Sequence, residues 1–286
     1  MSVRNVSIIG LGWLGMPLAE RLLSEGFSVK GSTTSAEKAA VLDEKRMAAY
    51  ELQLNPEPVG NLHALLDTDT LVINIPPKAG KLGDDFHPAQ IQYIVDAVTD
   101  SSVKHIIYVS STSIYPELNR EVIEEDVTSP GQSASPGLVQ AEQLIQALDK
   151  AEERVVTILR CGGLMGYDRI PGKYVAGRTV DTGHVPVNYL HRDDAVGILR
   201  ELIQKRVGGT FNAVSPIHPT REAIYRKSCA DFGYALPQFI EPTEPVPYKL
   251  ISPAKLLKAI QYIYRYPDPL HFYYQKADRS EPFRER

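Results

Sequence analysis

The sequence predicts an α/β fold, a doubly wound parallel sheet with a small C-terminal region appended, and three observations carry that expectation. Short β-rich runs alternate with longer segments of helical period from Val6 to Leu159, a rhythm that builds parallel strands covered by helices on both faces. A glycine-rich turn joins the first run to the first helical segment. With 43% hydrophobic residues in 286, the chain also holds enough apolar surface for a single large core.

The elements follow in order. A strand at Val6–Ile9 leads to a helix near Leu14–Ser24, a strand at Ser28–Gly31, a helix near Ala36–Met47 and a strand at Leu71–Ile75. A helix near Pro88–Val98, a strand at Ile106–Val109, a helix near Leu138–Lys150 and a strand at Val155–Leu159 come next. With Leu71–Ile75 as the fourth strand and Ile106–Val109 as the fifth, six parallel strands are expected, the third without an assigned segment. After Arg160 the rhythm loosens into GGLMGYDRIPGKYVAGRTVDTGHVPVN, a glycine-rich polar stretch of the kind that lines clefts. The chain then returns through Val187–Leu190, a helix near Asp193–Gln204 and a strand at Gly209–Ala213. A proline-rich tail carries a short helix at Ser252–Ala259, with Ser252 as N-cap and Pro253 at the first helical position. Residues 1–160 thus form the core, and 161–286 form a C-terminal substrate-binding region in which 187–213 returns to the core.

Composition excludes several function classes. A formal net charge of -4 and 23% charged residues, without a basic block, argue against a nucleic-acid partner. No run of eighteen apolar residues occurs, and MSVRNVSIIGLGWLG enters a strand without a signal-peptide cleavage site, so neither a membrane span nor export is expected and the location reads as cytoplasmic. Cys161 and Cys229 are the only cysteines and lie far apart, which suits a reducing compartment. The seven histidines show no close pairing with carboxylates or thiols, so no metal site is expected.

Gly10, Gly12 and Gly15 in VSIIGLGWLGMPLAERLL match G-x-G-x-x-G between a strand and a helix, the setting of a Rossmann dinucleotide site. Gly10 makes the tight turn, Gly12 admits a pyrophosphate, and Gly15 lets the helix pack close to the strand with its amides facing the anion. Trp13 and Leu14 complete the loop. NAD enzymes of this type carry a carboxylate at the end of the second strand, about twenty residues on. Ser32, Thr33 and Thr34 stand there instead, with Lys38 beyond, so the cofactor reads as NAD(P) with NADP favoured. Asn74, Ile75 and Pro76 end the fourth strand at the carboxyl edge of the sheet, where cofactors lie.

From Tyr108 the sequence YVSSTSIYP resembles the fifth strand and its exit in the extended short-chain dehydrogenase/reductases, the NAD-dependent epimerase/dehydratase group. Glu124, Glu125, Asp126, Pro130, Glu142, the strand ILRCGGLMG, VNYLHRDDAVGIL and GGTFNAVSP follow in that family's order. The resemblance implies a Rossmann core, nucleotide-sugar substrates, and for many members a homodimer through a helix pair, here including the helix near Leu138. It places Ser111 on the family's catalytic Ser/Thr and Asp194 on a supporting aspartate at the helix start. The family's Tyr-x-x-x-Lys pair falls on Ala134 and Leu138, neither of which moves a proton. A good glycine loop without that pair resembles the atypical members, some reductase-like and some cofactor-binding sensors.

Replacement acids are therefore sought. Tyr115 is the phenol nearest Ser111 in sequence and the first candidate acid, although the resemblance gives that tyrosine a structural role in shaping the loop. Tyr167, Lys173 and Tyr174 lie in the loosened segment, where a lysine beside a tyrosine could restore the missing proton chemistry. Arg169 and Arg178 could hold a substrate phosphate or carboxylate. Substrate contacts are assigned to Lys173, Tyr174 and Arg178, and His191 reads as a buried, hydrogen-bonded residue.

Overall fold

The computed structural model describes residues 4–44, 47–77, 82–151 and 154–276. Its centre is one eight-stranded sheet with strands β1 Asn5–Ile9, β2 Ser28–Thr33, β3 Ala48–Leu54, β4 Pro58–Gly60, β5 Thr70–Ile73, β6 His105–Ser111, β7 Val155–Cys161 and β8 Gly209–Ala213. The spatial order is β8-β7-β6-β5-β1-β2-β3-β4. Every pair is parallel except β3 with β4. Strands β1 to β3 run outward one way and β5 to β8 the other, so the order reverses between β1 and β5. At such a point the loops leaving adjacent strands part and open a crevice at the carboxyl ends.

The central strands are buried on both faces and show no polar alternation. Successive side chains point to opposite sides, which divides the core in two. Ile9, Leu71, Ile73, Ile106 and Tyr108 meet helices Phe86–Thr99 and Pro136–Gln146 on one face. Val6, Ile8, Val72, Ile107 and Leu159 meet helices Gly15–Ser24 and Arg192–Lys205 on the other. Both free cysteines are buried, and burial pushes the Cys161 thiol up to about 12.

Six parallel strands precede Gly162, and β8 adds a seventh. The unassigned third strand is β3, AAYELQL, near the sheet edge, where only Leu52 and Leu54 are buried; so few buried positions leave a weak hydrophobic signal. Residues 189–191 pair with Gly163–Met165 in a ladder separate from the central sheet, with Leu190 buried in the core on that side. One expectation is corrected. Ser252 is not an N-cap, since the tail helix spans Ala254–Ile260 behind Pro253 and the Ser252 N–H donates to Val122 O at 2.9 Å, continuing a short ladder. His191 caps helix Arg192–Lys205, its Nδ1 accepting the Asp193 N–H, and Asp194 stands in the first turn in a supporting role. Asp194 is buried and accepts the N–H groups of Arg265 and Tyr266 and the Tyr262 hydroxyl, which ties the tail to the core.

Two helices lie where none was expected, Pro171–Val175 in the loosened segment and Arg221–Phe232 after β8. Gly172 packs against Cys229 between them. Among the described residues no helix is long and apolar enough to cross a membrane.

Candidate dinucleotide site

A cleft of about 570 Å³ opens where the strand order reverses, with the glycine loop on one side and the end of β5 on the other. Gly10 adopts φ +103°, and a Cβ there would stand 2.3 Å from Asn74 O; one on Gly15 would stand 2.1 Å from Gly10 O. No side chain can replace either hydrogen without moving backbone. The loop is also held by hydrogen bonds. Gly10 N–H donates to Ser32 Oγ at 3.1 Å and Leu11 N–H to Ser32 O at 2.7 Å. Asn74 Nδ2 donates to Gly10 O at 3.1 Å, and Lys38 Nζ to Leu11 O at 3.2 Å. Ser32 and Asn74 line the cleft, yet their polar atoms serve the loop. The surface offered to a ligand is therefore largely backbone, ending at the N-terminus of helix Gly15–Ser24, where Met16 N–H is already given to Gly12 O at 3.0 Å and the helix dipole favours an anion. A dinucleotide's pyrophosphate fits this cradle.

The opposite wall combines Ile75 with three residues that sequence reasoning missed. Leu52 and Leu54 on β3 form an apolar face with Ile75, and Gln90 closes it. Gln90 Nε2 donates to Leu54 O at 2.7 Å, so its Oε1 accepts from His87 Nδ1 at 3.1 Å, and His87 Nε2, 2.6 Å from the Tyr108 oxygen, accepts that hydroxyl. Burial pushes the His87 pKa down and keeps the ring neutral. This buried chain pins the end of β3 to helix Phe86–Thr99 and to β6. The signal was an edge strand finishing in two leucines, readable only once its neighbour is known.

Of the residues assigned to the cofactor, Gly10, Gly12, Ser32, Thr33, Thr34, Asn74, Ile75 and Pro76 line the cleft. Among the described residues no lining side chain is charged. Trp13, Leu14 and Gly15 are not among the residues that line the cleft. Leu14 is buried, Gly15 provides the close packing, and Trp13 Nε1 turns away to donate to Asp168 Oδ1 at 2.9 Å.

Ser111 ends β6 at the carboxyl edge, half-buried, its oxygen accepting the Ser113 N–H at 3.1 Å. Neither Ser111 nor Tyr115 is among the residues that line the cleft. Tyr115 is fully buried, its hydroxyl donating to Asn212 Oδ1 at 2.7 Å and accepting from Arg160 at 2.8 Å. Burial, against the pull of Arg160, pushes its pKa up to about 12. A phenol so enclosed ties the exit of β6 to β7 and β8. Arg160 forks onto Glu142, 2.7 Å at the shortest, with both side chains almost wholly buried, and its remaining donors reach Glu124 O and Val127 O.

The substrate residues are not brought together. Lys173, Tyr174 and Arg178 are exposed on or just after the short helix Pro171–Val175. Tyr167 is separated from that pair, its hydroxyl donating to Asp193 Oδ1 at 2.9 Å. His191 is fully buried, capping its helix and stacking 3.9 Å from Tyr266.

Comparison with known proteins agrees with this geometry. A family model described as NAD(P)H-binding matches residues 10–195. Protein YeeZ of Escherichia coli strain K12 is 34% identical over 272 residues, covering 94% of this chain and 98% of that protein. Among solved structures, MoeE5 in complex with UDP-glucuronic acid and NAD superposes with a TM-score of 0.74 at 16% identity, covering 94% of this chain and 97% of that one. UDP-glucuronic acid 4-epimerase from Bacillus cereus in complex with NAD gives 0.72 at 19% identity, with the same coverage. At these identities the two structures speak for the fold alone, that of the epimerase/dehydratase dehydrogenases.

Proposed function

The chain belongs to the NAD(P)H-binding family, and from that premise we propose an NAD(P)-dependent oxidoreductase of the epimerase/dehydratase kind, of the atypical sort, working in the cytoplasm. Its substrate would be a nucleotide sugar or another small polar carbonyl or alcohol. The observation that carries this reading is the backbone cradle at the switch point, open on its far wall to an apolar, uncharged pocket. When bound, a nicotinamide supplies or accepts a hydride. Ser111, at the carboxyl edge, is the hydroxyl best placed to bond the reacting oxygen. Hydroxyls at Thr33 and Thr34, with no acid among the lining residues, favour NADP. The pair that usually moves the proton is read as absent: Ala134 is exposed and its N–H donates to Ile114 O, while Leu138 is buried in the first turn of its helix.

The test is calorimetric titration with NADPH and NADH of the protein and of Gly12→Glu. Saturable binding is expected, tighter for NADPH, and weakened roughly 100-fold or more by a carboxylate set against the pyrophosphate. Absence of binding by either form would refute the reading. A second reading, a dinucleotide sensor without turnover, is favoured by the enclosure of Tyr115. It predicts cofactor binding with no oxidation of NADPH across a panel of nucleotide sugars and small carbonyls.

A further inference from the structure

We propose that Arg169 and Arg192, gathered around Trp13, form an oxyanion subsite that receives a carboxylate or phosphate group of the substrate beside the dinucleotide. This rests on reading the cleft as the dinucleotide site. Trp13 follows Gly12, which lines that cleft, so the cluster adjoins the loop from the side its indole faces. The Arg169 guanidinium carbon lies 4.0 Å from the centroid of the Trp13 ring. That of Arg192 lies 3.5 Å from the Tyr167 ring and 5.1 Å from Trp13. Aromatic faces hold guanidinium planes without using their N–H donors.

Neither guanidinium is closely paired. Among the described residues no carboxylate lies within 4 Å of Arg169 or Arg192; Asp168 acts on Arg169 only through space, and Arg192 meets the neutral Tyr167. Asp168 is engaged by the Trp13 N–H. Asp193 is taken by the Tyr167 hydroxyl at 2.9 Å and by Arg265 at 3.1 Å. Arg192 Nε is enclosed and finds no acceptor among the described residues. Burial, with a smaller push from the Arg192 charge, holds the Arg169 guanidinium below its usual value against the opposing pull of Tyr174 and Asp168. Two like charges, half-buried and close enough to oppose each other, are the arrangement that a doubly forked oxyanion relieves.

The backbone is strained to produce it. Tyr167 takes φ +50° directly after Gly166 at +116°, and a Cβ on Gly166 would stand 2.6 Å from His191 Nε2. Few non-glycine residues adopt such angles, and those that do gather at functional sites. The turn is pinned by the tail, Tyr167 N–H donating to Tyr273 O and Gln275 N–H to Tyr167 O, both at 3.0 Å. The result sets Tyr167 against one guanidinium and Trp13 against the other. A cofactor's pyrophosphate already has the amides of helix Gly15–Ser24, which leaves these cations for a second anion.

Trp13 is the only tryptophan in the chain, so its fluorescence reports on this cluster alone. Titration with inorganic phosphate, at ionic strength matched with chloride, should change its emission saturably. The affinity should fall at least about tenfold in Arg169→Gln and in Arg192→Gln, as loss of a charge-assisted fork requires. If either variant fails to fold by circular dichroism, the corresponding lysine variant keeps the charge without the fork and should bind phosphate several-fold more weakly than the unchanged protein. Phosphate affinity should be unaltered with NADP+ saturating. An equal response to chloride, full affinity in the variants, or displacement of phosphate by NADP+ would each overturn the proposal, the last by giving the cations to the cofactor. Should NADP+ itself not bind, the reading of the cleft fails, while the phosphate titration of the free protein still decides whether the subsite exists.

Discussion

Around the glycine loop, side chains stand behind the backbone and hold it toward a ligand, whereas at the exit of β6 the side chain expected to face the ligand is turned into the core. Ser32, Asn74 and Lys38 each give a hydrogen bond to loop backbone or receive one from it, leaving a surface of glycines. Tyr115 instead closes a buried network with Arg160, Glu142, Asn212 and Glu124. A site made of backbone depends on conformation, and conformation is written into local sequence. A site made of side chains depends on which partner each group finds across the fold.

That contrast can be broken or sharpened by substitution. The largest effect is expected at Arg160→Met, which strands a buried Glu142 carboxylate and should cost about 3–5 kcal/mol, measured by chemical denaturation. Tyr115→Phe should cost about 1–3 kcal/mol by leaving Asn212 without its donor and Arg160 without one acceptor. Cofactor affinity should be unchanged in that variant, and a loss of turnover at unchanged stability would return Tyr115 to the chemistry and break the comparison. The smallest effect is expected at Ser32→Ala, which removes the acceptor for Gly10 N–H. It should cost about 1 kcal/mol, and here the loss should appear in dinucleotide affinity as well as in stability. If affinity is untouched, the loop does not need its brace.

Much of the fold was legible. The order of strands and helices through β7 apart from β3 and β4, the return of helix Arg192–Lys205 and β8, and the place of the cleft all follow from alternation and from three glycines. The tail and the loosened segment were not. The helix Arg221–Phe232 buries only Ile224, Ser228 and Cys229, too few positions for a clear apolar stripe. Ser252 and Pro253 have the composition of a helix start, yet the ladder from Leu250–Ile251 to Glu121–Val122 claims the Ser252 N–H first.

The sequence by itself determined the dinucleotide cradle, because Gly10 and Gly15 satisfy steric conditions set within a single strand-turn-helix unit and by the next strand. Only the tertiary structure decided that Tyr115 is structural, that Leu52, Leu54 and Gln90 form the far wall, and that Arg169 and Arg192 meet at Trp13. Those roles join residues tens to well over a hundred positions apart, and a side chain's partner across such distances is settled by packing, which no local pattern records.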